Sequence, residues 1–193
     1  MPSGFLNDIL KYDHAVWYRI NVLWQSRFMD LVAPVLREPK TWIPLYLFLA
    51  IFMPWKYKRK GLYWCLAFII TFALSDYTSA SIIKPLVQRV RPCNDAGLRH
   101  TIHLVVDCGS GYSFPSTHAT NHFALAFFMI MSLHRQYKWV WLPAFLWAFT
   151  VAYAQVYVGV HYPLDVSCGA LLGVLIGTFT GRFFREKVGL AKK

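Results

Sequence analysis

The run AYAQVYVGVHYPLDVSCG, residues 152–169, sets His161 and Asp165 four residues apart between two long apolar stretches. Ionisable side chains are costly in such surroundings, so the pair points to chemistry. Pro163 suits the first turn of a helix, which puts Asp165 about two positions later, where the helix dipole favours a carboxylate. His161 then occupies the turn before that helix, within reach of Asp165. An imidazole that donates one ring N–H to a carboxylate is fixed in tautomer and more nucleophilic at its other nitrogen. Taken alone, the pair also fits a structural bond that closes a turn.

Two further clusters hold polar chemistry. In FPSTHAT, Ser116 or Thr117 is placed to cap the following helix, whose free N–H groups and positive end would favour an anion beside His118. In KPLVQRVRP, Lys84 and Arg91 stand seven residues apart, two helical turns if the helix survives Pro85 and Pro92. Each cluster has an ordinary reading, the first as a helix start and the second as a basic membrane edge that meets lipid phosphates.

The elements that must position these clusters are membrane helices. The chain is 56% hydrophobic and 18% aromatic over 193 residues, with mean hydropathy +0.37. Such a composition belongs to the membrane class. The net charge of +11 does not imply nucleic acid, because the basic residues gather at the edges of apolar runs. The N-terminal MPSGFLNDILKYDH lacks the basic start and apolar core of a cleavable signal, so insertion is expected to rely on permanent spans. A single domain over 1–193 is expected: an N-terminal region to residue 40, a helical core over 41–184 and a basic tail over 185–193.

The fold class is all-α, a multi-pass transmembrane bundle. Residues 61–83, 119–134, 139–160 and 164–184 are expected as spans, with a short fifth over 41–55 anchored by Trp42 and Trp55. Residues 14–36 mix apolar and charged positions and suit a helix lying in the interface; a sixth span is the alternative. Lys56, Lys58, Arg59 and Lys60 fill one link, Arg135 and Lys138 another, and Arg182, Arg185 and Lys187 end the last span. The positive-inside rule makes these regions cytoplasmic, so loop 84–118 and the His161 turn face outward together.

The three clusters read together, in this order, resemble the phosphatidic-acid-phosphatase type 2 superfamily. Its motifs are Lys-x6-Arg-Pro, Pro-Ser-Gly-His and Ser-Arg-x5-His-x3-Asp; here they read KPLVQRVRP, PSTH and AQVYVGVHYPLD. The resemblance covers about residues 41–184. It implies that His161 attacks phosphorus to form a phosphohistidine, Asp165 orients the ring, and His118 protonates the leaving oxygen and then activates water. Lys84, Arg91, Ser116 and the N–H groups near Thr117 would hold phosphate oxygens, with no metal and no cofactor. Two departures stand out. Thr117 replaces the motif glycine, and Ala154-Gln155 replaces Ser-Arg, which removes a charge-assisted phosphate contact worth roughly 1.5 to 3 kcal/mol. Gln155 offers a neutral amide for the same task, and Arg89 or Arg99 is a candidate compensating cation.

The function so implied is a lipid phosphate or diphosphate phosphatase of the cytoplasmic membrane, its site on the outer side. Polyprenyl diphosphate, phosphatidylglycerol phosphate, phosphatidic acid and phosphorylated lipid A are the candidate substrates. A lipid phosphotransferase and a lipid-phosphate binding or transport protein with weakened turnover are the alternatives. The expected partners are the bilayer and the lipid phosphate, with no nucleic acid; the oligomeric state is open. Asp76, within a span, is expected to hydrogen-bond structurally. Cys93 and Cys108 share the outer loop and are a candidate disulfide. Gly169, Gly173, Gly177 and Gly181 recur every fourth residue and are expected to let helices of the bundle approach closely.

Overall fold

Large apolar side chains lie on the outside of this bundle, and its core joins small residues such as Ala119, Ala126 and Ala148 to buried Trp64, Phe128 and Trp147. A computed structural model describes residues 4–190, whose regular secondary structure is all helical, with no strand among them. Two helices open the chain, α1 (Gly4–Tyr18), prolonged by a π-helical turn over Arg19–Leu23, and α2 (Arg27–Arg37). The continuous helix expected over 14–36 is therefore broken. Ser26 is extended and accepts from Met29 N at 3.2 Å, so it starts a new helix where the old one ends.

Helices α3 (Ile43–Tyr57) and α4 (Arg59–Asp76) form a hairpin through Lys58, whose φ is 54°. Helix α4 passes into a π-helical stretch over Tyr77–Ile83 and then the short α5 (Lys84–Val87), which ends at left-handed Gln88. After a long loop come α6 (Thr117–Leu133), α7 (Trp141–Tyr157) and α8 (Pro163–Lys187).

Three helical stretches are long and apolar enough to cross a membrane: Arg59–Asn94, Lys138–Tyr157 and Pro163–Lys187. Of the five expected spans, α3 at 15 residues and α6 at 17 fall short of the ~20 that a hydrocarbon core asks of an upright helix. Helix α6 is the centre of the bundle, buried along most of its length between α4, α7 and α8. Leu47, Phe48 and Ile51 of α3, Leu66 and Ile69 of α4, and Leu171, Leu175 and Phe179 of α8 are exposed and form the lipid-facing belt.

Helix α8 lies directly against α6 because its facing row has no side chains. A Cβ on Gly169 would sit 2.6 Å from the Ser116 carbonyl, and Gly173 and Gly177 press on the Thr120 and Ala124 carbonyls. This seam brings the start of α6 beside the start of α8. Ser116 N donates to the Asp165 carbonyl at 2.9 Å, which fixes the two helix starts to each other.

Candidate active site

Lys84, Arg91, His118, His161 and Asp165 meet at one end of the bundle. Helix α5 ends at Gln88, so Lys84 and Arg91 do not share a helical face, and the two-turn relation expected from their spacing does not unite them. Loop 111–113 does. Lys84 Nζ donates to the Tyr112 and Ser113 carbonyls at 2.8 and 3.2 Å, and Arg91 Nε donates to the Gly111 carbonyl at 3.2 Å. Both cations retain further N–H groups, and both act electrostatically on His161.

Ser116 caps α6, its Oγ accepting from Ala119 N and its carbonyl from Thr120 N. The Thr117 and His118 N–H groups come before the intrahelical ladder begins. The His118 ring is half-buried, stacked at 6.4 Å on that of His122, whose Nδ1 donates back to the His118 carbonyl at 2.9 Å. His118 and His161 are close enough for the charge of one to act on the other.

The turn between α7 and α8 seats His161. Its N–H donates to the Gln155 carbonyl at 3.2 Å, and Gly159 makes the turn with φ of 84°. A side chain at Gly159 would also press on Ile102 and on the Asn21 amide. His161 is 2% exposed, and burial pushes its imidazole down to about 4, against the pull of Asp165 and alongside nearby Lys84 and Arg91. The ring is therefore neutral at neutral pH.

Asp165 is held differently from the simple His–Asp pair that the spacing suggests. His161 Nδ1 lies 3.6 Å from Asp165 Oδ2, beyond hydrogen-bond length, and has no other partner. The carboxylate accepts from Ser113 Oγ, from Tyr162 N at 2.8 Å and from Arg89 at 2.7 Å. Arg89 also bonds Asp13 of α1 at 2.6 Å and lies 4.1 Å over the Tyr162 ring. Asp13 completes the circuit by accepting from Leu164 N at 2.7 Å. Arg89, a candidate compensating cation by sequence, is thus engaged by two carboxylates, and Arg99 is exposed in the loop before α6.

Gln155 is completely buried. Its Oε1 accepts from Arg37 Nε of α2 at 3.4 Å, and its Nε2 has no partner. Thr117 Oγ1 is likewise buried and unpartnered. Trp17, His122 and Trp147 also carry unpartnered buried nitrogens, but those of Gln155 and His161 lie where Arg37, Lys84 and Arg91 act, an arrangement that suits an anionic ligand. Arg37, Asp13 and Ser113 escape sequence reasoning because each reaches the site from a distant segment with no spacing to advertise it. Elsewhere, Cys93 and Cys108 are disulfide-bonded with Cα atoms 5.8 Å apart. Asp76 accepts from Asn121 at 2.9 Å, and Asn121 accepts from Ser75 at 2.7 Å, which ties α4 to α6.

Comparison with known proteins gives the arrangement a context. The sequence model of the PAP2 superfamily matches residues 63–188. Lipid A 4'-phosphatase of Bacteroides thetaiotaomicron is 33% identical over 128 residues, taking in 65% of this chain and 56% of that protein. The chain therefore spans little more than half the length of that relative. A transmembrane PAP2-type phosphatidylglycerolphosphate phosphatase from Bacillus subtilis superposes with a TM-score of 0.69 at 26% identity, covering 96% of this chain and 90% of that one. Aquifex aeolicus LpxE superposes at 0.65 and 26% identity, covering 84% and 91%.

Proposed function

The chain belongs to the PAP2 superfamily, and on that premise we propose that it is a membrane phosphatase that removes phosphate from a lipid headgroup through a phosphohistidine on His161. The observation that carries this reading is the meeting of neutral, buried His161 with Lys84, Arg91 and the uncapped N–H groups of α6. A fixed set of donors and cations around an unprotonated nucleophile suits phosphoryl transfer, where charge on the equatorial oxygens must be neutralised.

The Nε2 lone pair of neutral His161 attacks phosphorus in line with the lipid oxygen. The P–O bond breaks as His118, which takes up a proton once the phosphate anion lies beside it, gives that proton to the departing oxygen. Asp165, 3.6 Å from Nδ1, stabilises the cationic phosphorylated ring. Water then bonds to phosphorus while His118 takes its proton, and the N–P bond breaks, returning both histidines to their starting states.

The substrate presents a phosphate at the membrane surface on an apolar tail. A sugar phosphate on lipid A is the first to test, on the similarity to the Bacteroides enzyme, followed by phosphatidylglycerol phosphate and polyprenyl diphosphate. The site faces the outer side of the cytoplasmic membrane. Lys56 at the α3–α4 turn bonds Tyr137 in the α6–α7 link, and His134, Lys138, Arg182 and Arg185 share one concavity, so the basic regions gather at the opposite end.

The test is phosphate release by the detergent-purified protein from each lipid in the presence of a chelator. Turnover by the wild type and loss of turnover in His161→Ala are expected. An active His161→Ala would remove the assigned nucleophile, and a silent wild type across the panel would favour a binding protein.

A further inference from the structure

A cation from another part of the chain reaches Gln155. Arg37, in the last turn of α2, is half-buried with its Nε pointed at Gln155 Oε1 at 3.4 Å. That contact leaves the terminal guanidinium nitrogens available. Among the described residues no carboxylate lies within ion-pair distance of Arg37, while its charge acts on Arg91 and on His118. Neighbouring Glu38 offsets part of its charge, and a guanidinium within electrostatic reach of Arg91 is stabilised further when an anion comes between the two. Gln155 Nε2, fully buried and unpartnered, is a donor waiting in the same place.

We propose that Arg37 is a phosphate-binding residue of this site and that Gln155 is its positioning residue, holding Nε with its carbonyl and offering Nε2 to the same phosphate. The proposal rests on the reading of the site as a lipid phosphate site. It also turns the glutamine from a deficiency into a requirement, since an arginine at 155 would face Arg37 and repel it.

The placement of Arg37 is built into α2. Tyr157 Oη donates to Asp30 at 2.6 Å and accepts from Ser26 N at 3.0 Å, and His103 Nε2 contacts Asp30 at 2.7 Å. These bonds pin the start of α2 to the end of α7, the helix that bears Gln155. Buried Ala33 lets the two helices close up, and Trp42 Nε1 secures the Leu36 carbonyl at 2.8 Å beside Arg37.

The experiment measures inorganic phosphate binding by calorimetry on full-length protein in detergent, with kcat/KM on the best lipid substrate alongside. Arg37→Ala is expected to weaken both by about 10- to 100-fold, the size of one lost charge-assisted contact. Gln155→Arg is expected to weaken phosphate binding as well. The double variant Arg37→Ala with Gln155→Arg should recover most of the loss, because one guanidinium again stands over the phosphate. Arg37→Lys, which keeps the charge and the fold but loses the fork, should bind phosphate with intermediate strength. Unchanged phosphate affinity in Arg37→Ala, tighter binding in Gln155→Arg alone, or a double variant no better than Arg37→Ala would each overturn the proposal. Should Arg37→Ala not fold, Arg37→Lys and Gln155→Arg decide by the same criteria. The two readings fail separately: wild-type turnover that survives His161→Ala removes the phosphohistidine and leaves the phosphate-binding result for Arg37 standing.

Discussion

Arg89 and Arg91 stand two residues apart and do different work. Arg89 joins Asp13 and Asp165, which are 4% and 0% exposed, so Arg89→Ala leaves two buried carboxylates unpaired. A loss of about 3–5 kcal/mol is expected, read as a lower unfolding temperature in detergent. Arg91 meets a single loop carbonyl, and Arg91→Ala is expected to lower turnover with little change in unfolding temperature. His161 gives a pH prediction. Its value of about 4 in the fold lies below the ordinary 6.5, so the acid limb of kcat/KM assigned to the nucleophile should fall near pH 4. The unfolded chain takes up that proton more readily, so stability should also decline as pH drops from 6.5 toward 4. Loss of turnover centred on pH 6.5 would mean a solvated imidazole. The roles suggested for Lys84, Arg91, His118 and His161 were legible because each sits in a short pattern with its own chemical sense. The partners of Asp165 were not, because Asp13 and Ser113 are 152 and 52 residues away in the chain and no local spacing links them to it.

Helices were legible from hydropathy and caps, and the glycine row of α8 announced a close neighbour. Which neighbour was not, since a small-residue stripe has no address. It packs on α6, and a side chain at Gly173 would overlap the Thr120 carbonyl. Gly173→Leu is therefore expected to separate the starts of α6 and α8, breaking the Ser116–Asp165 bond, with lower unfolding temperature and turnover together. Serine or alanine elsewhere on the lipid-facing side, as in Leu175→Ala, should do far less. The break at residues 24–26 and the π-helical passage over Tyr77–Ile83 were hidden as well, because polar residues recur all along 14–36 and disguise the Ser26 cap, and no residue type announces a π-turn. Tyr157→Phe removes the hydroxyl bonds that pin α2 and leaves only His103 on Asp30. Faster hydrogen exchange across Arg27–Arg37, with α6 and α8 unaffected, is the expected result.

At the scale of the molecule, the charge asymmetry separates two ends. The site with its outer loop forms one, and the basic turn, link and tail form the other. With Cys65 and Cys168 replaced, Leu104→Cys should react with an impermeant thiol reagent from outside intact cells, and Trp139→Cys only after the membrane is opened. The reverse pattern would invert the proposed orientation.

The bridge that Arg89 makes between Asp13 and Asp165 bears on what counts as the smallest working piece of this protein. The superfamily match begins at residue 63, which invites a truncated chain that keeps only the matched region. Such a fragment would lose the carboxylate that covers the Leu164 N–H and balances half of Arg89, while keeping every residue the motifs name. The boundary of sequence likeness and the boundary of cooperative folding are then different places. Excision at the first should produce a chain that inserts in the membrane yet cannot keep its own helix starts aligned.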